Sequence, residues 1–334
     1  MGWSRWSGPP KTSTGRWSVA DTITTRELDR GDVPAVLDLL RASLGEPPLL
    51  RRTPELFGWK HFDNPFGPSI AVLAEADDRI VGLRAFMRWD LLTTNGSIVR
   101  CVRAVDTATH PDYQRRGIFR RLTEEALGLA VAKDVDLVFN TPNEKSGAGY
   151  LSMGWKEVGP VGVMARPSPR LVTDRRPGPL TEPERFITDP KPALSLAVAD
   201  RAPRGLRTPR SDAYLKWRFG SHPSARYFRV DSGDATAVVR PNMRKGRREL
   251  VIADVFGPRP SAAIRAATRR SRAGYLAAWF SPGSPERAAA VRSGLVPVPG
   301  VTALTLMAKP LRDLDVDVES MTSWDLAISD LELL

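Results

Sequence analysis

Residues 109–122 read THPDYQRRGIFRRL, and the choice of fold turns on this stretch. Pro111 breaks a strand, Gln114, Arg115, Arg116 and Gly117 make a turn, and a helix begins at once, with Ile118, Leu122, Ala126 and Leu129 on one face. The first amides of such a helix have no intrahelical acceptor. The helix dipole adds positive potential, and glycine lets an anion approach the backbone closely. A pyrophosphate fits this junction, with Arg115 and Arg116 adding charge-assisted bonds. A basic glycine turn before a helix is also a common structural device, so its neighbours must decide.

Upstream, ITTREL (23–28) reads as a strand. DRGDVPAVLDLLRASLG (29–45) reads as an amphipathic helix, with Asp32 as its candidate cap. FGWKHFDNPFGPS (57–69) mixes aromatics with turn formers. AVLAEADDRIVGLRAFMRWDLLTTNGSIVRCVRAVDTATHP (71–111) alternates apolar and polar residues, broken by DD and NG, which predicts three antiparallel strands. Downstream, DLVFNTP (136–142) is a buried strand, EKSGAGYLSMG (144–154) a short helix and WKEVGPVGVMARP (155–167) a closing strand. The order β-α-β-β-β-α-β-α-β predicts an α/β domain over residues 21–166, a mixed and mostly antiparallel sheet flanked by helices.

The whole chain has 334 residues, 42% apolar and 26% charged, which sets an expectation of two domains. No apolar run approaches the roughly 20 residues of a membrane-spanning helix. Residues 1–20, with three tryptophans, read as a disordered leader, and 167–205 as a Pro/Arg-rich connector. Strands and helices recur over 206–315, predicting a second, smaller α/β domain, and 316–334 form an acidic tail. Cys101 is the only cysteine, so no internal disulfide or cysteine-based metal cluster is expected, and the cytoplasm is the expected compartment. The net charge of +11 admits nucleic acid, an acidic surface or a polyanionic small molecule as partner, although 40 of the 49 basic residues are arginine, as a composition bias would also give.

The turn and a second motif together resemble the GNAT superfamily of N-acetyltransferases. That family's acetyl-CoA signature is Gln or Arg, two residues, Gly, one residue, Gly or Ala. Gln114 and Gly117 keep it and Phe119 departs from it. In NEKSGAGYLSMGW, Asn143, Tyr150, Gly154 and Trp155 keep the family's second set of spacings. The resemblance covers residues 21–165. The rest resembles the degenerate second domain of tandem GNAT proteins, such as the enhanced-intracellular-survival family, by element order and by YLKWRF.

The resemblance implies acetyl-CoA as cosubstrate, no metal, and transfer to a primary amine of a small molecule or amino sugar by direct attack in a ternary complex. It gives cofactor contacts to the backbone of Thr107, Ala108 and Thr109, to Gln114, Arg115, Arg116, Gly117, Ile118 and Phe119, and to Asn143 and Ser146. Asn143 equally suits a helix cap. Tyr150 takes the family's general-acid position, against the alternative of a core tyrosine. Asp106 is the candidate base, acting directly or through water, unless it pairs with Arg103 or a turn; Arg103 itself stands about where several relatives carry a glutamate base. His110 is a relay or a plain loop residue. The tail, with Asp330, Glu332 and the Leu334 carboxylate, is a further candidate, since tails fold back in some tandem relatives. For the acceptor, Trp59, His61, Phe62, Asp63 and Phe66 combine aromatic walls with a carboxylate, or else form a buried staple. Two other readings remain: a basic nucleic-acid module centred on RAPRGLRTPR (201–210) and RAATRRSR (265–272), which carries few aromatics, and a catalytically silent acyl-CoA sensor. A homo-oligomer stays open.

Overall fold

A computed structural model describes residues 23–46, 51–173, 180–194, 196, 200–298 and 304–331. The expected leader, Glu332 and Leu334 lie outside the described residues. In the first half, β1 (Thr24–Glu27), α1 (Val33–Leu44), α2 (Pro54–His61), β2 (Ile70–Ala76), β3 (Arg79–Leu92) and β4 (Ile98–Thr109) lead to α3 (Ile118–Ala132), followed by β5 (Leu137–Asn140), α4 (Glu144–Ser152), β6 (Lys156–Val161) and β7 (Met164–Pro167). Then come α5 (Arg170–Thr173), β8 (Lys191–Pro192), α6 (Asp212–Leu215), β9 (Phe228–Ser232), β10 (Ala235–Arg244), β11 (Arg247–Phe256), α7 (Pro260–Arg270), β12 (Tyr275–Ala278), α8 (Pro285–Arg292), β13 (Val296–Pro297), β14 (Leu304–Pro310) and α9 (Ile328–Leu331).

Two seven-stranded sheets result, and they exchange strands. The first runs β1-β2-β3-β4-β5-β14-β6 and the second β13-β7-β12-β11-β10-β9-β8. The expected closing strand 155–167 is therefore corrected: β6 stays in the first sheet while β7 pairs with β12 and β13 of the second. In return β14 enters the first sheet between β5 and β6, Met307 opposite Asn140 and Thr305 opposite Pro160. The boundary expected at residue 166 falls within β7.

Two local expectations also change. Asp29, not Asp32, supplies the first cap: it accepts from the Gly31 amide at 2.8 Å, heading a short 3-10 turn, while Asp32 accepts from the Asp29 amide and from Arg26. The segment read as aromatics and turn formers contains α2. Thr53 caps it by accepting from the Leu56 amide, and Pro54 sits at its first position. Leu56, Phe57, Trp59 and His61 are all buried, so the helix lacks the one-sided pattern that marks a surface helix.

One face of the first sheet carries α3, whose Ile118, Leu122, Ala126 and Ala130 pack over Val72, Ala74 and Phe86. The approach is close. A Cβ on Gly82 of β3 would lie 2.8 Å from the Ile118 methyl, so only glycine fits there. The other face carries α1 and, along Met87, Trp89 and Leu91, a core shared with the second half through Tyr214, Trp217 and Trp324.

Candidate active site

β4 and β5 pair in parallel from Cys101 opposite Leu137 to Arg103 opposite Phe139, after which β4 is paired with β3. The register of β3 on β4 slips between Leu83 and Ala85, making a bulge at Asp106–Thr107, and Asp106 holds a left-handed φ of 40°. The strand end thus splays from β5 and leads to the basic turn. There Arg115 (φ 63°) and Gly117 (φ 77°) are left-handed, and Gly117 caps α3 with no side-chain bond. Nothing lies within 4 Å of where a Gly117 Cβ would stand. The first intrahelical bond runs from the Arg121 amide to the Gly117 carbonyl, leaving the preceding amides without helical partners. Gln114, Arg115, Arg116 and Gly117 are exposed, while Ile118 is buried as an anchor. Gln114 donates to the Thr109 carbonyl at 3.4 Å, and the Arg116 guanidinium lies 4.7 Å from the Tyr113 ring centre. Phe119 packs edge-on to Tyr150 at 5.7 Å, and its ring lies 3.0 Å from where a Gly149 Cβ would be, so glycine at 149 makes room for the larger residue at 119.

Tyr150, on α4, is buried against Phe119 and Trp155. Its hydroxyl accepts from Arg84 Nη1 at 2.6 Å, and the same nitrogen donates to the Thr107 hydroxyl of the bulge. Tyr150 is thus packed like a core residue and still has its oxygen drawn to the bulged strand. Asn143 caps α4, accepting from the Ser146 amide at 3.1 Å, and the Ser146 hydroxyl donates back to Asn143. Ala108 points the other way, into the α1 core. At the end of β5, Asn140 is buried and its Oδ1 lacks a hydrogen-bond partner among the described residues. An open left-handed glycine, free helix amides and an orphaned acceptor beside the splay fit the diphosphate and amide-bearing arm of an acyl-CoA.

Asp106 faces α2. Its Oδ2 accepts from Lys60 Nζ at 2.7 Å and from His61 Nε2 at 2.9 Å, and His61 Nδ1 accepts from the Ser69 hydroxyl at 2.9 Å. Burial would raise the Asp106 pKa, but the Lys60 charge and the His61 hydrogen bond outweigh it and hold the carboxyl far below its usual range. Burial pushes the His61 imidazole below its ordinary value despite Asp106, so it is neutral at pH 7. His110 accepts from the Asp112 amide and heads the short turn at Pro111, as a loop residue does.

The five acceptor candidates do not converge. Trp59 stacks on Trp217, centres 4.4 Å apart, inside the shared core. Phe66 packs against Trp89 and Tyr214. His61 belongs to the Asp106 network. Phe62 lies beneath the Arg30 guanidinium, and Asp63 is exposed 3.6 Å from the same arginine. Asp63 is exposed, Phe62 and Phe66 are half-buried, and Trp59 and His61 are buried.

A profile for the acetyltransferase (GNAT) domain matches residues 24–158. This stretch is similar to a GNAT acetyltransferase domain. Solved structures extend the likeness over both halves. A GCN5-related N-acetyltransferase from Kribbella flavida superposes with a TM-score of 0.58 at 14% identity, over 87% of this chain and 71% of that one. Eis1 from Mycobacterium abscessus gives 0.52 at 13%, over 86% and 73%. A tandem GNAT protein from the clavulanic acid biosynthesis pathway gives 0.50 at 13%, over 88% and 100%. At these identities the likeness is one of fold, a tandem GNAT architecture. No curated protein matches the sequence.

The tail returns to the first sheet as far as Leu331, whose carbonyl accepts from the buried Arg103 on β4. Burial lowers Arg103 to about 10. Asp330 is engaged elsewhere: it accepts from both Arg210 Nη atoms, at 2.7 and 2.9 Å, and Asp254 lies 2.8 Å from the same guanidinium. The sequence reading missed Arg84, Lys60 and Ser69. Each sits within two residues of a motif or an aromatic, but nothing in its own spacing marks it.

Proposed function

We propose that the chain is an acyl-CoA-dependent N-acetyltransferase acting on a primary amine of a small molecule or amino sugar. The observation that carries this reading is the placement of the Tyr150 hydroxyl and the open α3 N-terminus along one bulged strand, β4, joined through Arg84 and Thr107. Acetyl-CoA supplies an activated thioester when bound. Gly117 and the following amides hold its diphosphate, helped by Arg115 and Arg116, while Asn143 and Ser146 stand near its arm. Backbone groups of Thr107 to Thr109 face the thioester. Tyr150 gives its phenolic proton to the departing sulfur as the amine takes the acyl group.

An alkyl amine near pKa 10.4 loses about 4 to 5 kcal/mol to deprotonation at pH 7, so proton removal matters. Asp106 is a weak acceptor, because Lys60 and His61 already stabilise its charge. We assign it to clamping α2 onto the bulge, with the amine proton leaving through water. The lone buried Cys101 fits a cytoplasmic protein, and no helix among the described residues is long and apolar enough to cross a membrane.

The nucleic-acid reading loses support from ion pairing. Arg201 is bound by Glu286 and Asp325, Arg207 by Asp200, and Arg210 by Asp254 and Asp330, so three of the four arginines of the 201–210 run face carboxylates. The deciding experiment is thermal stabilisation by acetyl-CoA against free coenzyme A and NAD. Acetyl-CoA at 100 times its dissociation constant adds about 2.7 kcal/mol. Gly117→Glu removes that gain, because a side chain at φ 77° is strained and its charge opposes phosphate. No stabilisation by any coenzyme A species, with salt-sensitive nucleic-acid binding, would reverse the assignment; binding without turnover over a broad amine panel would favour the silent sensor.

A further inference from the structure

Arg84 does more than hold Tyr150. The residue is fully buried, and only its Nη1 has partners, the Thr107 and Tyr150 hydroxyls. Its Nε and Nη2 are buried without a hydrogen-bond partner among the described residues, and no carboxylate there pairs with it. Its other neighbours are ring faces: Phe86 at 4.7 Å, Tyr150 at 5.1 Å and Phe119 at 5.7 Å from the guanidinium carbon. Other buried guanidinium groups of the chain are met by an acceptor on another element: Arg210 is flanked by Asp254 at 2.8 Å and Asp330 at 2.7 Å, and Arg103, which lies over the Trp89 and Phe139 rings and also has two nitrogens without a partner among the described residues, donates to the Leu331 carbonyl. Rings soften the burial of a cation but cannot replace a counter-charge.

The two orphaned donors share one edge of the guanidinium. Nε–H and one Nη2–H point in parallel, spaced to meet both oxygens of a carboxylate. A lysine could not present that fork. We propose that this edge of Arg84, beside Tyr150, receives a carboxylate, so that the enzyme favours a carboxylate-bearing substrate. The inference rests on the acyl-transfer reading, which sets the thioester beside Tyr150. The carboxylate arrives either as the far end of a dicarboxylic acyl group on coenzyme A or on an amino-acid acceptor.

Both sources are tested in the full chain. In the donor arm, the dissociation constants of acetyl-, butyryl- and succinyl-CoA are measured by calorimetry; the last two have acyl chains of equal length. In the acceptor arm, coenzyme A release from acetyl-CoA is compared for L-amino acids and their carboxamides. A tenfold or greater preference for the carboxylate in either arm is expected, abolished in Arg84→Met and only partly kept in Arg84→Lys. The wild-type comparison stands even where a variant folds poorly. Tight acetyl-CoA binding with no carboxylate preference in either arm, or a preference that Arg84→Met leaves intact, would overturn this inference and leave the acetyltransferase reading standing. Failure of every coenzyme A ester to bind would overturn both.

Discussion

Trp59 and Trp217 each donate an indole N–H to the other's backbone carbonyl, at 3.0 and 2.9 Å, with their rings stacked at an interplanar angle of 11°. Both carbonyls lie at the end of a helical turn, where no following amide is available to them. The pair therefore closes two helix ends and joins the halves of the molecule in one contact. Trp59→Ala should lower stability by about 3 to 5 kcal/mol. Trp59→Phe should cost less, because it keeps the ring and removes one hydrogen bond. Urea unfolding followed by tryptophan emission checks both; a loss below 1 kcal/mol for the alanine variant would refute the role.

Tyr150→Phe removes the proton donor and one acceptor of Arg84 while leaving the α3 turn untouched. Its affinity for acetyl-CoA should stay within a few-fold of wild type while turnover falls by about two orders of magnitude or more. Parallel calorimetry and thiol-release assays separate the two effects. Unchanged turnover would return Tyr150 to the role of a packing residue.

Two buried groups give acid stability opposite signs. His61 is neutral in the folded protein, since burial lowers its pKa, and ordinary in the unfolded chain. Below about pH 6.5 the unfolded chain binds more protons, so His61 makes stability fall with acid. Burial raises Asp254 to about 6 against Arg210, so between about pH 6 and 4 the folded state binds more protons there and stability rises. Urea midpoints between pH 7.5 and 5 should fall less steeply in His61→Gln than in wild type and more steeply in Asp254→Asn.

The strand exchange predicts that neither sheet is autonomous. A chain ended after residue 303 lacks β14, so β5 and β6 lose their common neighbour. Such a chain should show no cooperative thermal transition and no acetyl-CoA shift, whereas the full chain should melt in one transition. Calorimetry checks this, and an intact first-half transition in the shortened chain would contradict it.

Much of the first half was legible because its signals are local. The alternation across 71–111, the proline and glycine around the 109–122 turn, and the spacing of Asn143, Tyr150 and Trp155 each act within a few residues. The exchange of β7 and β14 was not legible: MARP and LTLMAKP state that they are strands, but not which sheet receives them. α2 was hidden because it is buried on several sides and so shows no helical stripe. Arg84 reads in GLRAFM as the outward residue of a strand. Only the packing of α3 and α4 over that face makes it buried, and only then does its lack of a counter-charge have meaning.

The position of β14 also sets a schedule for synthesis. The first sheet cannot be completed until residue 310 has emerged from the ribosome, although β6 is made by residue 161. At ordinary translation rates that interval is roughly 7 to 30 s. During it the nascent first half displays two unsatisfied strand edges, so chaperone occupancy, not local folding speed, should govern the yield of active protein in cells.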